Sequence, residues 1–123
     1  MECARAIVDE LRGPTRELRA RIPQVWDGFA KLHSEAQREG VLSAKTKELM
    51  ALAIGVTQRC DGCIAYHARA AAQRGATEDE VAEALGVAIL MSGGPGTVYG
   101  ARAWRSFLEF VNPTSGSGPD APD

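Results

Sequence analysis

Cys60-Asp61-Gly62-Cys63-Ile64-Ala65-Tyr66-His67-Ala68-Arg69-Ala70-Ala71-Ala72-Gln73-Arg74-Gly75-Ala76-Thr77-Glu78-Asp79-Glu80-Val81 reads as one helix closing and another opening. Ala65, Ala68, Ala70, Ala71 and Ala72 give high helix propensity and permit close approach of neighbouring helices. Gly75 ends the segment. Thr77 and Glu80 have the spacing of a capping box, with Ala76 and Val81 placed as its hydrophobic staple. The spacing predicts a helix from about Cys60 to Gly75 and a second from Thr77 onward.

The same signals extend in both directions. Upstream, Leu49-Met50-Ala51-Leu52-Ala53-Ile54-Gly55-Val56 is apolar on every side, which predicts a central helix, with Ser43 as its cap and Glu48 at the edge of the apolar run. Before it, Val25, Trp26, Phe29, Leu32 and His33 recur at helical spacing between Pro23 and Gly40, where Gly40 is expected to cap the end. The first helix is expected over about Met1 to Leu11, stopping at Gly13-Pro14. Downstream, Val81, Leu85, Ala88, Ile89 and Ser92 line one face until Gly93-Gly94-Pro95-Gly96, read as a helix connector. Val98, Ala101, Trp104, Phe107, Leu108 and Val111 give a last helix. No segment alternates with the two-residue period of a strand. The expected fold is therefore all-α, about five to six helices, in a single domain over residues 1–112. Residues 113–123, rich in Pro, Gly, Ser and Asp, are expected to form a disordered tail whose removal leaves function intact.

Composition excludes several classes. The 123 residues carry 45% hydrophobic and 24% charged residues with a formal net charge of −2, without a basic tract for nucleic acid or anionic lipid. The longest uncharged apolar run, Leu49 to Val56, is far shorter than the roughly 20 residues that span a bilayer. Neither nucleic acid nor membrane is expected as a partner, and the N-terminus has no leader pattern, so a cytoplasmic location is expected. Three cysteines do not make a secreted disulfide framework. Cys3 stands alone near the terminus and receives no role.

Cys60, Cys63 and His67 fall on one stripe of a helix, so two thiols and an imidazole converge. A Cys-x-x-Cys pair at a helix start can close into a disulfide, and the unpaired N–H groups there favour thiolate. Zinc would be underligated by these three residues, with only His33 or Cys3 to complete it, and no metal is expected. A thioredoxin-like site would follow a strand, which the sequence lacks. Two buried cysteines and a satisfied histidine in a helical core is the plain structural alternative.

A dithiol redox centre explains the most residues. His67 lies one turn beyond Cys63 and can take its proton, so Cys63 is the candidate nucleophile and Cys60 the resolving thiol. Glu48, one helix earlier, can fold back to orient His67 or relay its proton. His33 is read as a partly buried helix residue and Tyr66 as core packing. Trp26, Phe29, Trp104 and Phe107 are read as core or subunit interface.

The run from Glu48 through Val56 to Cys60-x-x-Cys63-x-x-x-His67, followed by Gly75 to Val81, resembles the alkylhydroperoxidase D and carboxymuconolactone decarboxylase family over roughly residues 20 to 112. The arrangement is that of its peroxidase branch. The resemblance implies an all-α fold, homotrimers or homohexamers, and reduction of a hydroperoxide substrate without a cofactor. By position it implies that Cys63 attacks peroxide, Cys60 resolves, and Glu48 with His67 relays the proton. It also implies a dithiol reductant, which in the best-known members is a lipoyl-bearing protein. In characterised relatives a histidine can stand between the cysteines, where this chain has Gly62. The rival activities are the lactone chemistry of the decarboxylase branch, which does not require the cysteine pair, and a non-catalytic thiol sensor or disulfide-exchange protein.

Overall fold

A computed structural model describes residues 3–112. The tail expected over residues 113–123 lies outside the described residues, as do Met1 and Glu2. Six helices follow one another: α1 (Ala4–Arg21), α2 (Pro23–Ala36), α3 (Ala44–Thr57), α4 (Asp61–Gln73), α5 (Glu78–Ser92) and α6 (Gly94–Val111). There is no strand among the described residues, and no helix there is long and apolar enough to cross a membrane.

The core lies among α3, α4, α5 and α6. Leu52 and Val56, Ile64 and Ala68, Val81 and Leu85, and Ala103 and Phe107 are the paired contributions of those four helices. Phe107 is fully buried, and truncating a buried Phe typically costs about 3–5 kcal/mol. The alanines of α4 let its neighbours close in: Ala68 and Ala71 face the main core, while Ala65 packs against Ala4 and Val8 of α1. Helix α4 is thus sandwiched between α1 and the remaining core.

Several starts and stops follow from local chemistry. Ser43 Oγ accepts from Thr46 N–H at 3.0 Å and caps α3. Thr77 Oγ1 accepts from Glu80 N–H at 3.1 Å, and Glu80 Oε1 accepts from Thr77 N–H at 2.9 Å, completing the expected capping box. Ala76 and Val81 are both buried beside it. Helix α1 lacks a local side-chain cap and borrows one: the buried Glu109 of α6 accepts from the backbone N–H of Ala4 at 2.9 Å. A carboxylate at a helix N-terminus also complements the macrodipole.

The helix boundaries and one buried face differ from those that the sequence predicts. Helix α1 does not stop at Gly13-Pro14 but runs through Pro14 to Arg21. Proline removes one N–H bond yet keeps a helical φ, and this turn is exposed, so water can satisfy the freed carbonyl. Helix α2 ends before Gly40, at Ala36, with the Gln37 N–H bonded to the His33 carbonyl. Of the glycine-rich connector only Gly93, at φ 69°, joins two helices; Gly94, Pro95 and Gly96 already belong to α6. A Cβ on Gly96 would stand 2.8 Å from Ser92 Cβ and 3.1 Å from Ile89 Cα, so glycine is needed for the approach of α6 to α5. The buried face of α6 is accordingly rotated onto Gly96, Gly100, Ala103, Phe107 and Glu109, leaving Val98, Ala101 and Val111 exposed. Helix α3 packs against α4, α5 and α6, although Met50 and Ile54 face outward.

Candidate active site

The end of α3 sets the start of α4. Arg59 N–H bonds to Val56 O and Cys60 N–H to Gly55 O, each at 3.1 Å, the double closure of a Schellman turn. The turning residue, Arg59, has φ 54°. This turn delivers Cys60 directly to the N-cap of α4. There Cys60 Sγ accepts from Cys63 N–H at 3.1 Å, so sulfur occupies the place a serine or aspartate oxygen usually takes. Asp61 in the first turn complements the helix dipole and pairs with Arg102 of α6 at 3.5 Å, anchoring this end of α4.

Cys60 and Cys63 are joined as a disulfide with their Cα atoms 5.2 Å apart. Gly55 of α3 lies beneath them; a Cβ there would stand 3.4 Å from Cys63 Cβ, so α3 and α4 are closely packed at this level. A Cβ on Gly62 would stand 3.6 Å from Leu11 Cδ1. A methyl fits that gap, but a larger side chain between the cysteines meets α1.

Glu48 projects from α3 and is 4% exposed. Its Oε1 lies 2.8 Å from His67 Nδ1. A buried carboxylate needs such a partner, since losing water without compensation is costly. With Glu48 ionised, Nδ1 carries the ring proton and donates it. In the neutral ring Nε2 is then left as the acceptor and proton base. A helix stripe and a hairpin fold therefore bring together all four predicted site residues: Glu48, Cys60, Cys63 and His67.

A cavity of about 500 Å³ opens over the disulfide, lined by Cys60, Cys63 and His67 together with groups the sequence had not placed there. His33 of α2, expected to be a partly buried helix residue, is exposed and lies parallel to the His67 ring, with centroids 6.1 Å apart and an interplanar angle of 15°. Phe29, one turn earlier, leans on His33 at 6.3 Å. Tyr66, Arg69 and Gln73 of α4 form another wall. Tyr66, read as core packing, is half-buried and faces this cavity as well as the α1 side. The spacing of 66, 69 and 73, a second stripe beside that of the cysteines, was a usable signal. Nothing local in α2 indicated that His33 would reach His67, because that contact depends on how the chain returns between Ala36 and Ala44. Among the described residues no cluster of three or more His, Cys, Asp and Glu is arranged to hold a metal ion. Cys3 is the N-cap residue of α1.

These features define a small all-α protein that carries a dithiol–disulfide pair at a helix N-terminus, with a carboxylate–imidazole pair beside it. The carboxymuconolactone decarboxylase family model matches residues 23–106, and the chain belongs to that family, in its alkylhydroperoxidase D-like form with a Cys-x-x-Cys pair. A crystal structure of a carboxymuconolactone decarboxylase family protein from Legionella pneumophila superposes with a TM-score of 0.86 at 36% identity, covering 89% of this chain and 97% of that one. A Thermotoga maritima family protein, for which involvement in an antioxidative response has been suggested, gives a TM-score of 0.70 at 34% identity over 81% of this chain and 88% of that one. An uncharacterized protein of Cupriavidus necator is 36% identical over 85 residues, 69% of this chain and 75% of its own length.

Proposed function

We propose that the protein is a cofactor-free thiol peroxidase that reduces hydroperoxides through a Cys60–Cys63 dithiol/disulfide cycle. The observation that carries this reading is the shared cavity: the disulfide-bonded Cys60–Cys63 pair and His67 open onto the same space, and His67 is held from behind by a hydrogen bond to the buried Glu48. The antioxidative role suggested for the Thermotoga relative agrees with it.

In the reduced protein, His67 Nε2 takes the Cys63 proton and Glu48 stabilises the imidazolium through Nδ1. The Cys63 thiolate attacks the outer peroxide oxygen. The O–O bond breaks, the alkoxide leaves and takes the proton from His67 to become the alcohol, and Cys63 becomes a sulfenic acid. The Cys60 thiol then attacks the Cys63 sulfur; an S–S bond forms and the hydroxide leaves with the Cys60 proton as water. An external dithiol, such as a lipoyl group, reduces the disulfide and is itself oxidised to a disulfide. In that step the leaving sulfur at position 60 is stabilised as thiolate by the α4 N-terminus, where it already accepts the Cys63 N–H.

Assembly into homotrimers or homohexamers belongs to the same proposal. Helix α2 buries no residue, and Val25, Phe29 and Leu32 present an apolar stripe that is 60–67% exposed. Such a surface is characteristic of an interface.

The test is dithiol-driven turnover of an organic hydroperoxide by the protein and two variants. Cys63→Ser should abolish it, and Cys60→Ser should leave a sulfenic acid trappable at Cys63. Full turnover by Cys63→Ser would refute the assignment. Oxidation of the native pair without turnover would favour a sensor instead.

A further inference from the structure

The cavity over the disulfide is far larger than a peroxide group. At about 500 Å³ it falls in the range of sites that enclose whole organic molecules. Phe29, Tyr66 and Ala70 supply apolar wall. Against that wall stands the guanidinium of Arg69, half-buried and 5.4 Å from the Tyr66 ring centroid. The ring orients the guanidinium but leaves its charge uncompensated. Arg102 and Lys45, by contrast, are matched by Asp61 and Glu80, whereas Arg69 makes no ion pair among the described residues. Gln73, one turn further along α4, adds an amide to the same wall.

We infer that Arg69, seated on Tyr66, is an anion subsite, and that the protein acts on organic hydroperoxides that carry a carboxylate at the end remote from the peroxide. This inference rests on the peroxidase reading. Arg69 lies six positions beyond Cys63, about 9 Å of axial rise, with its guanidinium over the Tyr66 ring, and both residues line the same cavity. A substrate that bridges the two carries a spacer between peroxide and carboxylate, and the apolar wall of Phe29, Tyr66 and Ala70 packs against it. The planar guanidinium can bind the carboxylate through two parallel hydrogen bonds.

The experiment compares cumene hydroperoxide, its para-carboxylate and the methyl ester of that acid as substrates at low ionic strength with one dithiol reductant. The acid should exceed the ester in kcat/KM by about tenfold, mainly through KM. Arg69→Met should bring acid and ester to the same value, and Arg69→Lys should keep part of the preference. Equal values for acid and ester in the unmodified protein overturn the subsite, as does a preference that persists in Arg69→Met. Turnover of cumene hydroperoxide and ester without an advantage for the acid removes the subsite alone. Inertness of all three peroxides removes the peroxidase reading, and the substrate subsite with it.

Discussion

The two turns that bracket α4 share one backbone design and differ in the residue at the turning point. Before α4, Arg59 stands at φ 54°; after it, Gly75 stands at φ 80°. Each turn closes with the same pair of bonds, Arg59 N–H to Val56 O with Cys60 N–H to Gly55 O, and Gly75 N–H to Ala72 O with Ala76 N–H to Ala71 O. Glycine adopts this left-handed region without steric penalty, whereas arginine does not. The strained turn leads into the cysteine pair and the relaxed one into a capping box. Backbone strain next to reactive groups is a recurring feature of functional sites. One end of α4 is thus built for position of the sulfurs, the other for stability.

The largest effect is expected at the cysteine end. Glu48→Gln removes the charge that holds the His67 tautomer, and peroxide turnover should fall by about a hundredfold or more, measured as kcat with saturating reductant while thermal unfolding confirms the fold. At the structural end, Gly75→Ala should destabilise by about 1–2 kcal/mol without altering thiol reactivity. A Cβ there meets nothing within 4 Å, so the cost is that of the backbone alone, and denaturant titration would measure it. The mirror substitution, Arg59→Gly, should stabilise by about 1 kcal/mol or less, because relief of strain is partly offset by the freer unfolded chain. Its informative readout is the rate of disulfide reduction, which should change if the turn holds Cys60 in place.

The smallest effect belongs to Glu80. Lys45 beside it, and then the Thr77 backbone N–H, hold its carboxyl below the ordinary value of 4.5. A group whose folded pKa is lowered contributes stability above that ordinary value and loses it as pH falls through the folded one. Glu80→Gln should therefore lower the melting temperature slightly at neutral pH, with the difference vanishing in acid. A difference that persists undiminished in acid would mean that the charge is not what Glu80 contributes.

The same two turns explain what was legible in the sequence. Gly75 and the Thr77–Glu80 box announce themselves because each residue type is suited to its local geometry. The cysteine stripe and its reach to His67 follow from helix periodicity alone. Arg59 carries no such signal, since only the fold makes it adopt a positive φ. Long-range placement was equally invisible: Glu109 caps α1 from 105 residues away, and His33 meets His67 through the return of α2 over the site. Pro14 misled for the opposite reason. A local helix breaker is tolerated where the turn is exposed and water can replace the missing bond. The rotated face of α6 reflects Gly96, whose value lies in the close approach of α5 rather than in any apolar pattern.

The proposed chemistry is a reversible Cys60–Cys63 redox cycle driven by peroxide. It is tested most directly by peptide-level mass spectrometry of the reduced protein before and after a stoichiometric pulse of organic hydroperoxide, followed by a dithiol chase. The predicted result is loss of two hydrogens localised to the Cys60–Cys63 peptide, restored by the dithiol and repeatable over several pulses. Thiols that remain unchanged through the pulse would rule out the Cys60–Cys63 cycle.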